Sequence, residues 1–185
     1  MGDFKMGSKT VMSQSGTSNP TWGANVPTGT IIQTVSGERT TTATCDAGST
    51  NSDPGSDWVD VLSVNITPSS GTKCMIMIDA IVGTSGASGY ALVRVLRDST
   101  QLNKIDGRTY GWESLAAPDT ETSTPYSRII YDTHGANGST QVTYKIQLGR
   151  QNASYDVFIG RSYSGSDNTY SSSRSTTMTI MEIAG

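Results

Sequence analysis

The stretch Thr140 to Gly160, TQVTYKIQLGRQNASYDVFIG, decides the fold class. Val142, Tyr144, Ile146 and Leu148 alternate with Thr143, Lys145 and Gln147. Successive side chains of a strand point to opposite faces, so this alternation predicts a strand with one buried and one wet face. A polar break runs from Gly149 to Ser154, after which Tyr155, Val157 and Ile159 resume the pattern. Two such runs around a short polar loop predict an antiparallel hairpin.

The same grammar extends outward. GTIIQTV (Gly29 to Val35) reads as a strand, Ser36 to Glu38 as a turn, and RTTTATC (Arg39 to Cys45) as a Thr-rich edge strand. DWVDVLSVNIT ends at Pro68, and SSGTK connects it as a hairpin to CMIMIDAIV (Cys74 to Val82). The latter is apolar almost throughout and reads as a central strand buried on both faces, in which Asp79 requires a partner or an interface. YALVRVLRD, TQLNKI, YSRIIYD (Tyr126 to Asp132) and TTMTIMEIA (Thr176 to Ala184) supply further strands. Parallel strands need long crossovers, and no helical candidate exists to provide them. The expected fold is therefore all-β, an antiparallel two-sheet β-sandwich, jelly-roll-like, over residues 28–185. Residues 1–27 lack a sustained period and read as a short irregular arm, with Phe4, Met6, Val11, Met12 and Trp22 as its apolar anchors on a partner or on its own domain.

Composition agrees. Hydrophobic residues make up 34% of the 185 and charged residues 16%, the balance being rich in turn- and strand-compatible Ser, Thr, Gly and Asn. The net charge of −3, with no basic patch, argues against nucleic acid as a partner. No apolar run suits a signal peptide or a membrane span. Cys45 and Cys74 form no zinc-type cluster; a bridge is open if their strands are neighbours, and a pair of unbridged thiols in strands is the plainer expectation.

Chemistry-bearing groups are sparse. Ser85 in GTSGASG and His134 in THGANG lack a nucleophile elbow and read as turn residues. No catalytic residue, cofactor or metal site is expected, although Asp46, Asp53, Asp57 and Asp60 cluster near one loop where calcium is thinkable. Two long loops carry Tyr110 and Trp112, and Tyr163 and Tyr170, among Ser, Asn and Asp. Flat aromatic faces with adaptable polar neighbours suit ligand contact; the alternative is that they cover the sandwich edge. Apolar residues on both parities of two strands give a further expectation. Met75, Met77 and Ile81, with Met181 and Ile183, would lie on an outer sheet face and form a seam covered by another copy of the chain.

Five segments carry a resemblance: GSKTVMSQSGTSNPTWG, PTGTIIQTVS, WVDVLSVNITPSSGTKCMIMI, TYKIQLGR and TMTIMEIAG. Together they make the chain similar to small tail-fibre-type proteins of marine bacteriophages infecting cyanobacteria and related ocean bacteria. The resemblance implies a virion structural protein assembled in the host cytoplasm, homotrimeric, attached through its N-terminal arm to other phage virion proteins of tail or capsid. The head would contact a host surface glycan or protein. The segments between the matches do not match, so the ligand is open. A capsid decoration or head-fibre protein, a carbohydrate-binding module and a depolymerase are the competing functions.

Overall fold

The computed structural model describes residues 2–6, 8–14, 21–22, 26–46, 58–87, 89–103, 113–116, 120, 122–163 and 173–185. Among them it shows strands and no helix. The arm holds β1 (Gly2–Met6), β2 (Lys9–Gln14) and β3 (Thr21–Trp22), paired as a three-stranded antiparallel sheet of their own. The head holds β4 (Ile31–Arg39), β5 (Ala43–Cys45), β6 (Val59–Ile66), β7 (Lys73–Thr84), β8 (Tyr90–Arg97), β9 (Thr100–Gln101) and β10 (Glu113–Ala116). It continues with β11 (Thr124–Asp132), β12 (Val142–Arg150), β13 (Val157–Ile159) and β14 (Thr176–Ile183).

The head is a two-sheet antiparallel sandwich. One sheet runs β10-β8-β12-β6, with β9 sharing the β10 edge of β8; the other runs β4-β14-β7-β13-β5. Val82 lies opposite both Ile159 and Thr124, so β11 occupies the other edge of β7. The long strands obey one rule. β4 pairs with β14, β6 with β12, β7 with β11 and β8 with β10. This is one long hairpin, nested outside-in and wrapped into two sheets, which is the jelly roll.

Several expectations change. The stretch 140–160 is not a hairpin: β12 pairs with β6 and β8, whereas β13 lies in the opposite sheet against β7 and β5. Likewise β6 and β7, joined through Gly71, sit in different sheets. Alternation reports which face is buried, and strands facing the same core from opposite sheets satisfy it as well as hairpin partners do. The arm, expected to be irregular, is a small meander. Its register brings Phe4, Met12 and Trp22 into one cross-strand row, with Met6 and Val11 elsewhere on β1 and β2. The exposed Asp3 and Lys5 alternate with Phe4 and Met6, a period too short to stand out in a Ser- and Gly-rich background.

The core lies between the sheets. Ile76, Ile78, Ala80 and Val82 of β7 meet Val93 and Val95 of β8, Tyr144, Ile146 and Leu148 of β12, and Met178 and Ile180 of β14, all fully or nearly fully buried. Each such aliphatic side chain contributes about 1.5–3 kcal/mol through removal from water. Ser36 to Glu38, expected to turn, continues β4. Gly37 is needed there for packing, because a Cβ would stand 2.6 Å from Val64 Cγ2 of the facing sheet.

Candidate functional site

The sandwich has two unlike ends. β4 begins, and β14 finishes, beside the start of β7, where Ile31 opposes Ile183 and Ile183 opposes Lys73. Gly29 N–H bonds Ala184 O at 2.9 Å and Thr28 Oγ1 bonds Gly185 O at 3.1 Å, so the arm leaves the head beside the last residue of the sequence. This is the proximal end. The segments 46–58, 84–90, 116–124, 150–157 and 160–175 connect strand ends at the distal end, by the registers of β5, β7, β12 and β13.

The proximal end is tied by a buried polar cluster. Glu182, fully buried on β14, accepts hydrogen bonds from Gln33 Nε2 at 2.6 Å, Ser69 N–H at 2.7 Å and Thr72 Oγ1 at 2.9 Å. Burial works to raise its pKa, but these donors favour the carboxylate and bring it below its ordinary value. His134, read as a turn residue without a role, is a strut here. Its Nδ1 accepts Ala136 N–H at 2.9 Å and its Nε2 lies 3.1 Å from Thr72 Oγ1. A ring whose Nδ1 is an acceptor is neutral, and burial lowers its pKa accordingly. Next to it Asp132 binds Arg97 at 2.8 Å and Tyr144 Oη at 2.8 Å. Burial, then the hydrogen bonds to Cys74 and Asp132, push the Tyr144 phenol far up.

The two outer faces also differ. On the β10-β8-β12-β6 sheet, side chains bond one another in rows. Thr143 Oγ1 donates to Asn65 at 2.8 Å, Lys145 reaches Asp60 at 3.4 Å, and Gln147 bridges Asp60 and Arg94, whose guanidinium lies 4.1 Å over the Trp58 ring. On the other sheet the outer parity of β7 and β14 carries all of the expected seam, Met75, Met77, Ile81, Met181 and Ile183. Met77 is 38% exposed, and its neighbours Ile129 and Tyr131 on the edge strand β11 are 61% and 68% exposed. Met75, Met181 and Ile183 are half-buried, and Ile31 is open at the β4 edge. A shallow groove of about 180 Å³ runs past Met77, Ile129 and Thr179. β7, expected to be buried on both faces, is thus buried on the inner one and half-open on the outer. Asp79 on this half-open face pairs with Arg174.

Ile81 departs from the open part of the seam. It is 6% exposed, because the chain after β13 folds back over the distal half of the same face. Gly160, at φ +92°, makes the bend, its N–H bonding Ile81 O at 2.9 Å. Ser162 then crosses Gly83 so closely that a Cβ on the glycine would stand 2.8 Å from its Cα. Arg161 caps Phe158 with its guanidinium 4.5 Å from the ring, and Tyr163 packs 5.6 Å from it while remaining 44% exposed. An Arg161–Ser173 bridge and the Arg174 N–H bond to Gly160 O at 2.9 Å close the neck from which 164–172 departs.

Of the four loop aromatics Tyr163 is described; Tyr110, Trp112 and Tyr170 lie outside the described residues. Their segments have different roots. Residues 104–112 leave from the middle of the β8 edge, where Asn103 fills the gap between β9 and β10 by bonding Val95 N–H and Val93 O. Residues 164–172 leave from the distal neck. Ser85 Oγ accepts Asp156 N–H at 2.8 Å at the distal end, and His134 is proximal. The twelve-residue β7 separates them by roughly 40 Å at about 3.3 Å per residue. Asp46 is exposed and Asp60 belongs to the polar face, whereas Asp53 and Asp57 lie outside the described residues; among those described, no group suited to a metal ion forms. Cys45 and Cys74 are buried, unbridged thiols near opposite ends of the sandwich, and burial raises Cys74. The chain matches no protein-family model and no curated protein.

Proposed function

We propose that the protein is a structural component of a bacteriophage particle, a tail fibre or tail-proximal knob. Residues 1–27 dock on a neighbouring virion protein, and the head contacts the host surface as a homotrimer. The observation that carries this reading is the polarity of the head: the arm emerges at the tied proximal end, and the polar, aromatic-bearing segment 164–172 departs from the distal one. A module that attaches at one end and touches a target with the other needs that arrangement. The open face of Met75, Met77, Met181 and Ile183, with Ile129 and Tyr131 beside it, supports self-association, since another copy would remove it from water. Three-fold closure comes from the resemblance to tail fibres. No catalytic role is proposed.

Deleting Met1 to Ala24 tests the arm. The truncated protein should stay folded and soluble and fail to join the particle; unfolding would mean that the arm belongs to the core. Cryo-EM of the intact particle then separates tail from capsid. A head seated on the capsid shell makes it a decoration protein instead.

A further inference from the structure

The sheet that carries the open face also has two open edges. Gly160 N–H bonds Ile81 O on the β13 side of β7, so the alternate residues of β7 turn their backbone groups the other way, toward β11. By register these are the partners of Tyr126, Arg128, Ile130 and Asp132. Pro125, Ser127, Ile129 and Tyr131 therefore direct their backbone groups away from the sheet. Two of the four are blunted: proline has no N–H, and Ser127 O accepts Arg128 Nη1 at 2.7 Å. Ile129 and Tyr131 have no such cover among the described residues, and theirs are the most exposed large apolar side chains described.

β4 is the opposite edge. Asp79 and Met77 share the parity of Ile81 and face β14, which leaves Met178 and Ile180 to bond Gly37 and Val35. Thr34, Ser36 and Glu38, all exposed, thus turn their backbone groups outward. Three antiparallel pairings separate β4 from β11, so the two edges run antiparallel to each other. Thr34 lies in the cross-strand row of Tyr131, Ser36 in that of Ile129 and Glu38 in that of Ser127. A rotation axis along the strands brings β4 of one copy beside β11 of the next with the polarity of an antiparallel ladder. The Glu38 carboxylate then meets the edge next to Arg128, whose side chain is 44% exposed. The number of copies follows from width. Four strands at about 4.8 Å make a side about 19 Å wide, so a triangle of such sides sets each face about 5.5 Å from the axis, close to half the ~10 Å between packed sheets. A square would nearly double that distance and leave a channel that side chains do not fill.

We infer that three copies close edge to edge, β11 of each pairing with β4 of the next, into a triangular prism whose interior is the face of Met75, Met77, Met181 and Ile183. Such a contact is heterologous and closed, and it removes two open edges and one apolar face together. The inference rests on the self-association reading above and names the surface that performs it.

The test is oxidative cross-linking of the full-length protein carrying Ser36→Cys and Ile129→Cys. Residues opposite each other in a hydrogen-bonded antiparallel pair have Cα atoms about 5.5 Å apart, within disulfide reach. Non-reducing gels should show covalent dimer and trimer, while each single variant stays uncrosslinked; Cys45 and Cys74, both buried, stay out of it. Ile129→Pro is the second measurement. Its N–H faces away from β7, so proline removes no bond within the chain and one between copies. Mass photometry should then read 19.5 kDa in place of three times that mass, with circular dichroism still showing strands. If this variant unfolds, the cross-link decides alone. A trimeric wild type whose double variant does not cross-link, or whose folded Ile129→Pro variant stays trimeric, overturns the edge pairing and leaves self-association standing. Cross-linking by Ile129→Cys alone overturns it too, since β11 would then meet β11. A wild type of 19.5 kDa at micromolar concentration removes the prism and the trimer together. None of these outcomes touches the docking of the arm, which its own deletion tests.

Discussion

The two outer faces of the sandwich obey the same alternation and reach opposite results. On the β10-β8-β12-β6 face, Asp60, Gln147 and Arg94 bond across three strands and Arg94 closes over Trp58, so the face is finished within one chain. On the β4-β14-β7-β11 face, rows such as Met181, Met75 and Tyr131 place apolar groups side by side, with nothing from the described chain over them. Polar residues on a wet face satisfy one another laterally, whereas apolar residues can be satisfied only from above. A sandwich with one face of each kind is complete as a fold and incomplete as a surface.

The largest expected effect follows. Met75→Glu or Met181→Glu should convert a species of three times 19.5 kDa into one of 19.5 kDa, because each would leave an unpaired charge under the partner copy. Lys145→Glu on the finished face should leave the mass unchanged. Mass photometry reads both, and a wild-type protein already running at 19.5 kDa at micromolar concentration removes the seam altogether.

Acid comes next, through the strand that the open face shares with the core. β14 presents Met181 outward and Glu182 inward. His134 titrates below its ordinary 6.5 in the folded head, so its contribution is complete above that value and declines as pH falls towards the folded pKa. Glu182 titrates below its ordinary 4.5, so its contribution is present above that value and is lost as pH falls through the folded pKa. Stability should therefore fall in two steps on the acid side, the His134 step absent in His134→Gln. Calorimetric melts at successive pH values check it; a flat profile between pH 7 and pH 3 contradicts both assignments.

The smallest effect belongs to the finished face. Arg94→Ala removes a hydrogen bond to Gln147 and a cation–ring contact, worth about 1–2 kcal/mol together. At roughly 2–4 °C per kcal/mol for a chain of this size, melting should drop by a few degrees with no change in assembly. A change in mass on this substitution would mean that the polar face is also an interface.

Faces were legible in the sequence and partners were not. Val142 to Leu148 announces its buried parity through period two; Cys74 to Val82 and Met178 to Ile183 are apolar on both parities, which made the first look buried on both faces, while Met75, Met77 and Met181 pointed to an outer seam. What joins β12 to β6 rather than to β13 is decided by residues far apart in the chain, such as Ile146 opposite Leu62. Gly37 looked like turn chemistry because its reason, Val64 on the other sheet, is equally remote. His134 gave no signal, since Ala136 N–H is an ordinary neighbour and Thr72 comes from another turn. Tyr163 was visible as an exposed aromatic, but Arg161 was missed: its place over the Phe158 ring depends on the bend at Gly160, which only a folded structure can reveal.

The nesting of the hairpin has a consequence in time. Its outermost rung joins Ser36 Oγ to Thr179 Oγ1, 143 residues apart, while its innermost rung, β8 with β10, spans a short stretch of chain. Loop-closure entropy favours the inner rung first, and rates for such non-local topologies lie in the range of milliseconds to seconds. During synthesis β4, β6 and β7 therefore leave the ribosome long before β14, β12 and β11 exist to pair with them. A chain that stops before Thr176 has not lost one strand of many: β4 and the proximal half of β7 both pair with β14, so truncation there should yield aggregate instead of a shortened head.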